Sequence, residues 1–326
     1  MLVEEQYLSM PSGRTLAYAH GGAPASTDVV IFLHGVFGVG EATTLSPALV
    51  ERGVHFVAPT LPGWGKTSPP SSSQSFQQCL FDDLTALITR LHPQTENLRL
   101  YLAGGSFGTV AAQIVYGASY DDFPLGRQIA GLLLIAPISP PHAHSDFNKC
   151  LSSTNYLSLG TPYHVLPFNL TQRMGMLMLR HHLDTPEHAA KFIHEFAFSK
   201  LAGEEREVYE KWREARGFEE GQAEKDIGAS MHHSVATTWK GFLDVPKIIH
   251  SNWGGYDPRS VHEDRQIPVL VVMNRGDRDH LLMGEWLVKN MKGTVARYEV
   301  GGHMASMFTA DGIWEQFLKM TMPMKK

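Results

Sequence analysis

The sequence predicts an α/β fold in which a mostly parallel central sheet carries helices on both faces. Apolar, β-branched segments alternate along the chain with segments whose apolar residues recur at helical spacing. The 326 residues, of which 43% are hydrophobic, are enough to bury a substantial core. The third observation is the segment 104–108, in which a serine flanked by glycines stands between a predicted strand and a predicted helix.

The predicted strands begin with a hairpin at about residues 4–9 and 14–20, which turns at Pro11-Ser12-Gly13. Continuous apolar runs follow, as is typical of strands that are buried on both faces. These runs cover residues 29–33, 54–58, 98–103, 132–135, 269–273 and 295–300.

Helical periodicity appears between these strands. A helix is predicted after Ser75, which with Gln78 has the spacing of a capping box, and it ends before Pro93. A second helix follows the glycine-flanked serine, over 109–116, and apolar residues at 313, 317 and 318 mark a closing helix.

The alternation of strands and helices stops between about residues 140 and 240. This stretch is rich in charges and helical periodicities and contains no convincing strand. We therefore expect a core formed by residues 1–139 and 241–326, and a helical lid formed by residues 140–240, inserted after the sixth strand and covering the carboxyl edge of the sheet.

Composition excludes several classes of protein. The formal net charge of −5 and the lack of a basic stripe argue against a nucleic-acid-binding protein. No run of apolar residues is long enough to span a bilayer, and the first residues do not resemble a signal peptide. Two cysteines exclude a disulfide framework. We expect a soluble, cytoplasmic protein with a small-molecule substrate of largely apolar character and no nucleic-acid partner.

The segment Gly104-Gly105-Ser106-Phe107-Gly108 has the G-x-S-x-G pattern of a nucleophile elbow. The turn from strand to helix is so sharp that side chains at the flanking positions would collide, and glycine avoids this because it has no Cβ. The turn exposes the hydroxyl of Ser106 and aims the amino end of the next helix at it. Ser106 is therefore the candidate nucleophile.

A serine nucleophile needs a base, and the base needs a carboxylate that fixes its tautomer. Among 17 histidines, His303 is the best placed, since it follows two glycines directly after the last predicted strand. The segment after the strand at 269–273 offers two acids, Asp277 and Asp279, and the residues alone do not separate them. His34 is predicted to be a structural histidine bonded to backbone.

Paired histidines are candidate metal ligands. Two pairs lie in the predicted lid, at 181–182 and 232–233, without a carboxylate or cysteine at a convincing ligand spacing. We interpret them as surface or core residues, and we expect neither a metal nor an organic cofactor.

These residues resemble those of the α/β-hydrolase fold serine hydrolases, in which nucleophile, acid and histidine follow in this order. The resemblance implies a triad of Ser106, Asp279 and His303, because the family's acid commonly ends a Gly-x-x-Asp turn that matches 276–279. It also implies an oxyanion hole formed by the amides of Val36 and Phe107. The segment 61–68 resembles the family's D-x-P-G-x-G-x-S loop, with Thr60 where many members carry aspartate.

The expected activity is hydrolysis of a carboxylic ester, lactone or related acyl bond through an acyl-enzyme. Two other hydrolytic activities remain as alternatives: that of a peptidase resembling prolyl iminopeptidases, and that of a hydrolase of carbon–carbon bonds. A third alternative, of another class, is a ligand-binding receptor that keeps the triad and turns over little.

Overall fold

The computed structural model describes residues 5–160, 162, 166, 169–261 and 265–322. Its strands form one eight-stranded sheet in the order β1-β2-β4-β3-β5-β6-β7-β8. They are β1 Gln6–Ser9, β2 Thr15–Gly22, β3 Asp28–Leu33, β4 His55–Pro59, β5 Arg99–Gly105, β6 Ile129–Ile135, β7 Val269–Asn274 and β8 Thr294–Glu299.

The first two strands pair antiparallel, as do β2 and β4, and all the other neighbours pair parallel. Central strands that are buried on both faces need apolar residues at nearly every position, and β7 shows this pattern from Val269 to Met273. The predicted mostly parallel α/β sheet is confirmed.

The helices of the described residues lie between and after the strands. They are α1 Pro47–Glu51, α2 Phe76–Leu91, α3 Gly108–Gly117, α4 Phe147–Cys150, α5 Ser153–Leu159, α6 Leu170–Leu179, α7 Pro186–Phe196, α8 Gly203–Ala215, α9 Gln222–Ala236, α10 Lys240–Ile249, α11 Arg278–Asn290, α12 Ala305–Phe308 and α13 Ala310–Thr321. None of the described helices has the length and apolar character needed to cross a membrane.

Between β6 and β7 the described residues form helices joined by turns and loops, without a strand, and we call the helices α4 to α10 the insertion. Two of its helices, α7 and α9, approach closely at Gly228, where a Cβ would lie 2.4 Å from the backbone nitrogen of Ala190. The insertion therefore has packing of its own. The division into a core of residues 1–139 and 241–326 and a lid of residues 140–240 stays a prediction.

The topology determines where a site can form. The strand β3 has β4 on one side and β5 on the other. Successive strands are therefore added on opposite sides of β3, and the strand order of the sheet reverses there. Loops that leave the carboxyl ends of two such strands diverge and open a crevice between them. The loops after β3, β5, β7 and β8 all leave this same edge, and they carry the predicted functional residues.

Candidate active site

Ser106 lies at the turn between β5 and α3 with φ +50°, in the left-handed region. Its N–H donates to Ile135 O at 2.8 Å, which anchors the turn to β6. A Cβ on Gly104 would lie 2.4 Å from Gly108 O, and a Cβ on Gly108 would lie 1.9 Å from Leu33 O. Glycine is therefore required at both positions. The same close packing holds the half-buried Ser106 in its strained backbone conformation.

The loop after β3 reaches the same turn. A Cβ added to Gly35 would lie 3.3 Å from Ser106 Cβ, so the backbone of this loop passes directly beside the serine. The imidazole of His34 holds the loop: its Nε2 accepts from Leu61 N at 2.9 Å, which leaves Nδ1–H to donate to Gly35 O at 2.8 Å. His34 is thus a buried structural histidine.

The candidate oxyanion-hole donors are the N–H groups of Val36 and Phe107. In a trans peptide the C=O and the N–H point in opposite directions, so fixing Gly35 O with His34 also fixes the Val36 N–H. Phe107 follows Ser106 and is the N-cap of α3, a helix end whose N–H groups have no acceptor within the helix. Neither N–H donates to another residue in the part of the chain that the structure describes. Their role as oxyanion donors remains a proposal.

Two buried histidines make stability depend on pH. Burial lowers the pKa of His34 from 6.5 to about 4, and burial with two neighbouring imidazoles does the same for His55. His55 lies in a hydrogen-bonded row, 2.9 Å from His20 and 2.7 Å from His92 between ring nitrogens. In the unfolded chain both groups bind protons below about pH 6.5, whereas the folded protein resists protonation down to about pH 4.

The stabilisation by His34 and His55 is therefore complete above pH 6.5 and is lost as the pH falls towards 4. Between pH 7.5 and pH 5.5 we expect the free energy of unfolding to fall by about 1.4 kcal/mol for each histidine. Urea unfolding at the two pH values measures this change. His55→Gln is expected to reduce the difference by about half; an identical urea midpoint at both pH values in the wild type would contradict the prediction.

His303 is placed by the loop between β8 and α12. The neighbouring loop after β7 is tied to it, because Gly276 N donates to Gly301 O at 2.7 Å and Asn274 Nδ2 donates to His303 O at 3.0 Å. From the insertion, Glu205 accepts the N–H of Gly302 at 2.8 Å. The backbone that carries the imidazole is therefore fixed from both the core and the insertion.

Asp277 is the carboxylate that contacts His303. Its Oδ2 lies 2.5 Å from His303 Nδ1, and its Oδ1 lies 3.0 Å from the Nδ1 of a second histidine, His280. Burial raises the pKa of Asp277, but the hydrogen bonds from His280 and His303 outweigh it and lower the pKa below its ordinary value. Asp277 is consequently ionised and only accepts hydrogen bonds, so the neutral imidazole of His303 has its hydrogen on Nδ1 and its lone pair on Nε2.

The expectation that Asp279 orients His303 is wrong. The helix α11 begins at Arg278 with Asp277 as its N-cap, so Asp279 lies inside the first turn and points elsewhere. Its Oδ2 accepts from Ser152 N at 2.8 Å, Ser152 Oγ at 2.9 Å and Asn155 Nδ2 at 2.7 Å. Asp279 therefore fastens the start of α5 to the core.

His280 is a residue of the site that the sequence reasoning missed. Its ring centroid lies 4.5 Å from that of His303, and both imidazoles donate to the same carboxylate. The signal was present: an aspartate N-cap followed three residues later by histidine places both side chains on one helix turn. Glu205 gave no such signal, because its contact depends on how the insertion packs.

The aromatic residues near the elbow pack the loops together. Trp64 is fully buried, and its ring lies edge-on to Phe37 at 6.0 Å between centroids. Phe37 in turn stacks on Phe242 of α10 at 5.2 Å and contacts Trp239. These contacts join the loop after β3 to the last helix of the insertion.

A cavity of about 230 Å³ opens beside His303. Residues 196–201, at and after the end of α7, supply most of its apolar wall, and Met304 and Phe308 supply the rest. One lysine and one glutamate are also among the lining residues. The lining residues are Phe196, Ala197, Phe198, Lys200, Leu201, Glu205, Gly302, His303, Met304 and Phe308.

A carboxylate lies near the histidine pair at 181–182. Asp184 is within hydrogen-bonding range of His181, at 3.3 Å, and of His188, at 2.7 Å, and His188 joins the group from α7.

Comparison with known proteins agrees with this architecture. The family model described as "Alpha/beta hydrolase family" matches residues 30–315. The chain belongs to the alpha/beta hydrolase family. No curated protein matches the chain.

Solved structures resemble this alpha/beta hydrolase over nearly its full length. A hydrolase from Pseudomonas aeruginosa has a TM-score of 0.58 at 16% identity, with 97% of this chain and 98% of that chain covered. An esterase from Exiguobacterium antarcticum has a TM-score of 0.56 at 14% identity, with the same coverage. A serine hydrolase involved in carbazole degradation also has a TM-score of 0.56 at 14% identity, with 97% and 98% covered. At these identities the likeness shows the fold.

Proposed function

We propose that this alpha/beta hydrolase is a serine hydrolase that cleaves a carboxylic ester, lactone or related acyl bond through an acyl-enzyme. The observation that carries the proposal is the half-buried, ionised Asp277 against Nδ1 of His303. This pair leaves Nε2 of His303 available as a base at the sheet edge that also carries the strained Ser106.

In the proposed reaction, the oxygen of Ser106 attacks the acyl carbon while His303 Nε2 takes the hydroxyl proton. Asp277 stabilises the resulting imidazolium, and the N–H groups of Val36 and Phe107 donate to the oxyanion. The bond to the leaving alcohol then breaks, and the alcohol takes the proton from His303. Water, deprotonated by His303, attacks the acyl carbon of the acyl-enzyme; the bond to the Ser106 oxygen breaks, His303 returns the proton to that oxygen, and the acid is released.

Labelling with a fluorophosphonate tests this proposal, because an activated serine displaces fluoride and keeps the phosphonyl group. We expect an adduct on Ser106 by peptide mass mapping, loss of the adduct in His303→Ala, and normal labelling in the control His194→Ala, whose histidine is exposed on α7 and contacts Glu224. Absence of an adduct on folded protein, together with ligand-induced stabilisation and no turnover of esters, would instead support the receptor alternative.

The second histidine on Asp277 gives a prediction of its own. His280→Leu removes one donor from the carboxylate, so the pKa of Asp277 rises towards its ordinary value and its orientation is less fixed. We expect kcat/KM to fall about tenfold, the equivalent of a hydrogen bond to a charged group of about 1.5 kcal/mol. His280→Asn, whose amide nitrogen occupies nearly the position of Nδ1, is expected to keep most of the activity. Equal kcat/KM in His280→Leu and wild type would show that His303 alone suffices to position Asp277.

The apolar cavity beside His303 favours a substrate with an apolar group on one side of the acyl bond. Leu201→Trp adds a larger side chain to its wall. We expect kcat/KM for p-nitrophenyl octanoate to fall about tenfold relative to that for the acetate, within the range that a few methylenes contribute in an apolar pocket. An unchanged ratio of the two kcat/KM values would place the apolar group of the substrate elsewhere.

A further inference from the structure

The insertion carries a second cluster of chemically active side chains, on its outer surface. His181 and Asp184 lie in the turn after α6, and His188 lies in the first turn of α7. The hydroxyl of Thr185 caps α7 by accepting from His188 N at 3.1 Å, and Pro186 follows it at the first helical position. This cap fixes the backbone between the aspartate and the second histidine.

The donor atoms of this cluster converge. Nδ1 of His181 lies 3.3 Å from one carboxylate oxygen of Asp184, and Nδ1 of His188 lies 2.7 Å from the other. The ligand atoms of all three residues lie within 4.8 Å of one another. Ligands at about 2.0–2.1 Å in a tetrahedral zinc site are separated by about 3.3 Å, so small rotations of these side chains suffice to accommodate an ion.

The types of ligand atom in this cluster and its exposure to solvent also suit a metal ion. Two imidazoles and one carboxylate form a donor set that suits Zn²⁺ and leaves a fourth position for water. The side chains of His181, Asp184 and His188 are 79%, 45% and 49% exposed, so an ion reaches them directly from solvent.

We infer that His181, Asp184 and His188 form a binding site for a divalent transition-metal ion of the Zn²⁺ type. The ion ties the end of α6 to the start of α7, the helix whose other end carries Phe196 at the cavity beside His303. The inference does not depend on the proposed hydrolysis, because none of the three residues belongs to the candidate active site.

A second group with metal-ligating side chains among the described residues is Asp277, His280 and His303. There both imidazoles donate to the carboxylate of the candidate active site, and the side chains of Asp277 and His280 are only 11% and 12% exposed. The surface cluster is the more accessible of the two groups, and the experiment distinguishes them.

Titration calorimetry with ZnCl₂ on the metal-stripped full chain at pH 7.5 tests this assignment. We expect one Zn²⁺ per chain, at least tenfold weaker binding in His181→Ala and in His188→Ala, and unchanged binding in His194→Ala, an exposed histidine of the same helix. The temperature of unfolding is expected to rise with Zn²⁺ in the wild type and not in Asp184→Asn. Failure of the wild type to bind Zn²⁺, or binding that is lost in His280→Leu and kept in His181→Ala, would overturn the inference.

Discussion

Replacing Asp277 with asparagine is expected to lower kcat/KM by about 10⁴-fold while leaving the fold intact. The asparagine amide presents a donor where the carboxylate accepted, so Nδ1 of His303 loses its hydrogen and Nε2 carries it. An Nε2–H cannot take the proton of Ser106. Asparagine is also a good N-cap, so α11 keeps its first turn. The measurement is kcat/KM on a small p-nitrophenyl ester, with the far-ultraviolet circular dichroism spectrum as a check on folding.

Asp279→Asn is the matched control, two residues away and of the same chemistry. Its carboxylate binds Ser152 and Asn155 rather than an imidazole, so we expect turnover close to that of the wild type. The cost appears in stability: weakening hydrogen bonds to a charged group lowers the free energy of unfolding by about 1–3 kcal/mol. If Asp279→Asn abolishes turnover and Asp277→Asn does not, the acid of the site is the one that the sequence resemblance favoured.

The contrast between these two aspartates shows which parts of the structure can be predicted from the sequence and which cannot. Apolar runs located the central strands β3 to β7, because burial on both faces of a sheet constrains each residue locally. Gly104 is a local signal of the elbow as well, since its added Cβ would lie 2.4 Å from Gly108 O, four residues further along the chain. The choice between Asp277 and Asp279 depends on where α11 begins: Asp277 is the N-cap and contacts His303, whereas Asp279 lies within the first turn.

The remaining site contacts depend on packing between distant segments. Glu205 meets Gly302 across almost a hundred residues, and no local pattern in a charged helix identifies which glutamate makes such a contact. The cluster around Asp184 was missed because His188 and His181 belong to different elements, which the turn at Thr185 brings together. Helical periodicity predicts that the insertion is helical, but it does not predict which of its surfaces meet.

The second large effect is expected at the elbow itself, from Gly108→Ala. The new Cβ would lie 1.9 Å from Leu33 O and 2.7 Å from His34 O, both backbone atoms that cannot rotate away. Relief of this overlap requires α3 to move away from β3, at a cost of about 1–3 kcal/mol or more in the free energy of unfolding. The same movement separates Ser106 from the loop that carries Val36. A displacement of about 1 Å between reacting groups lowers kcat by about 10²-fold.

Gly105→Ala is the control for Gly108→Ala. It shows whether the losses at Gly108 arise from the overlap with β3 or from placing any side chain in the turn. A Cβ on Gly105 meets only the ring of Phe32, at an ordinary 3.7 Å, and Gly105 has no positive φ. We therefore expect Gly105→Ala to unfold in urea within about 0.5 kcal/mol of the wild type and to keep most of its kcat. Equal losses in both variants would show that the elbow tolerates no side chain for a reason other than overlap with β3. A stable, fully active Gly108→Ala would mean that α3 moves freely against β3, and the distance between Ser106 and the Val36 loop would then not be set by Gly108.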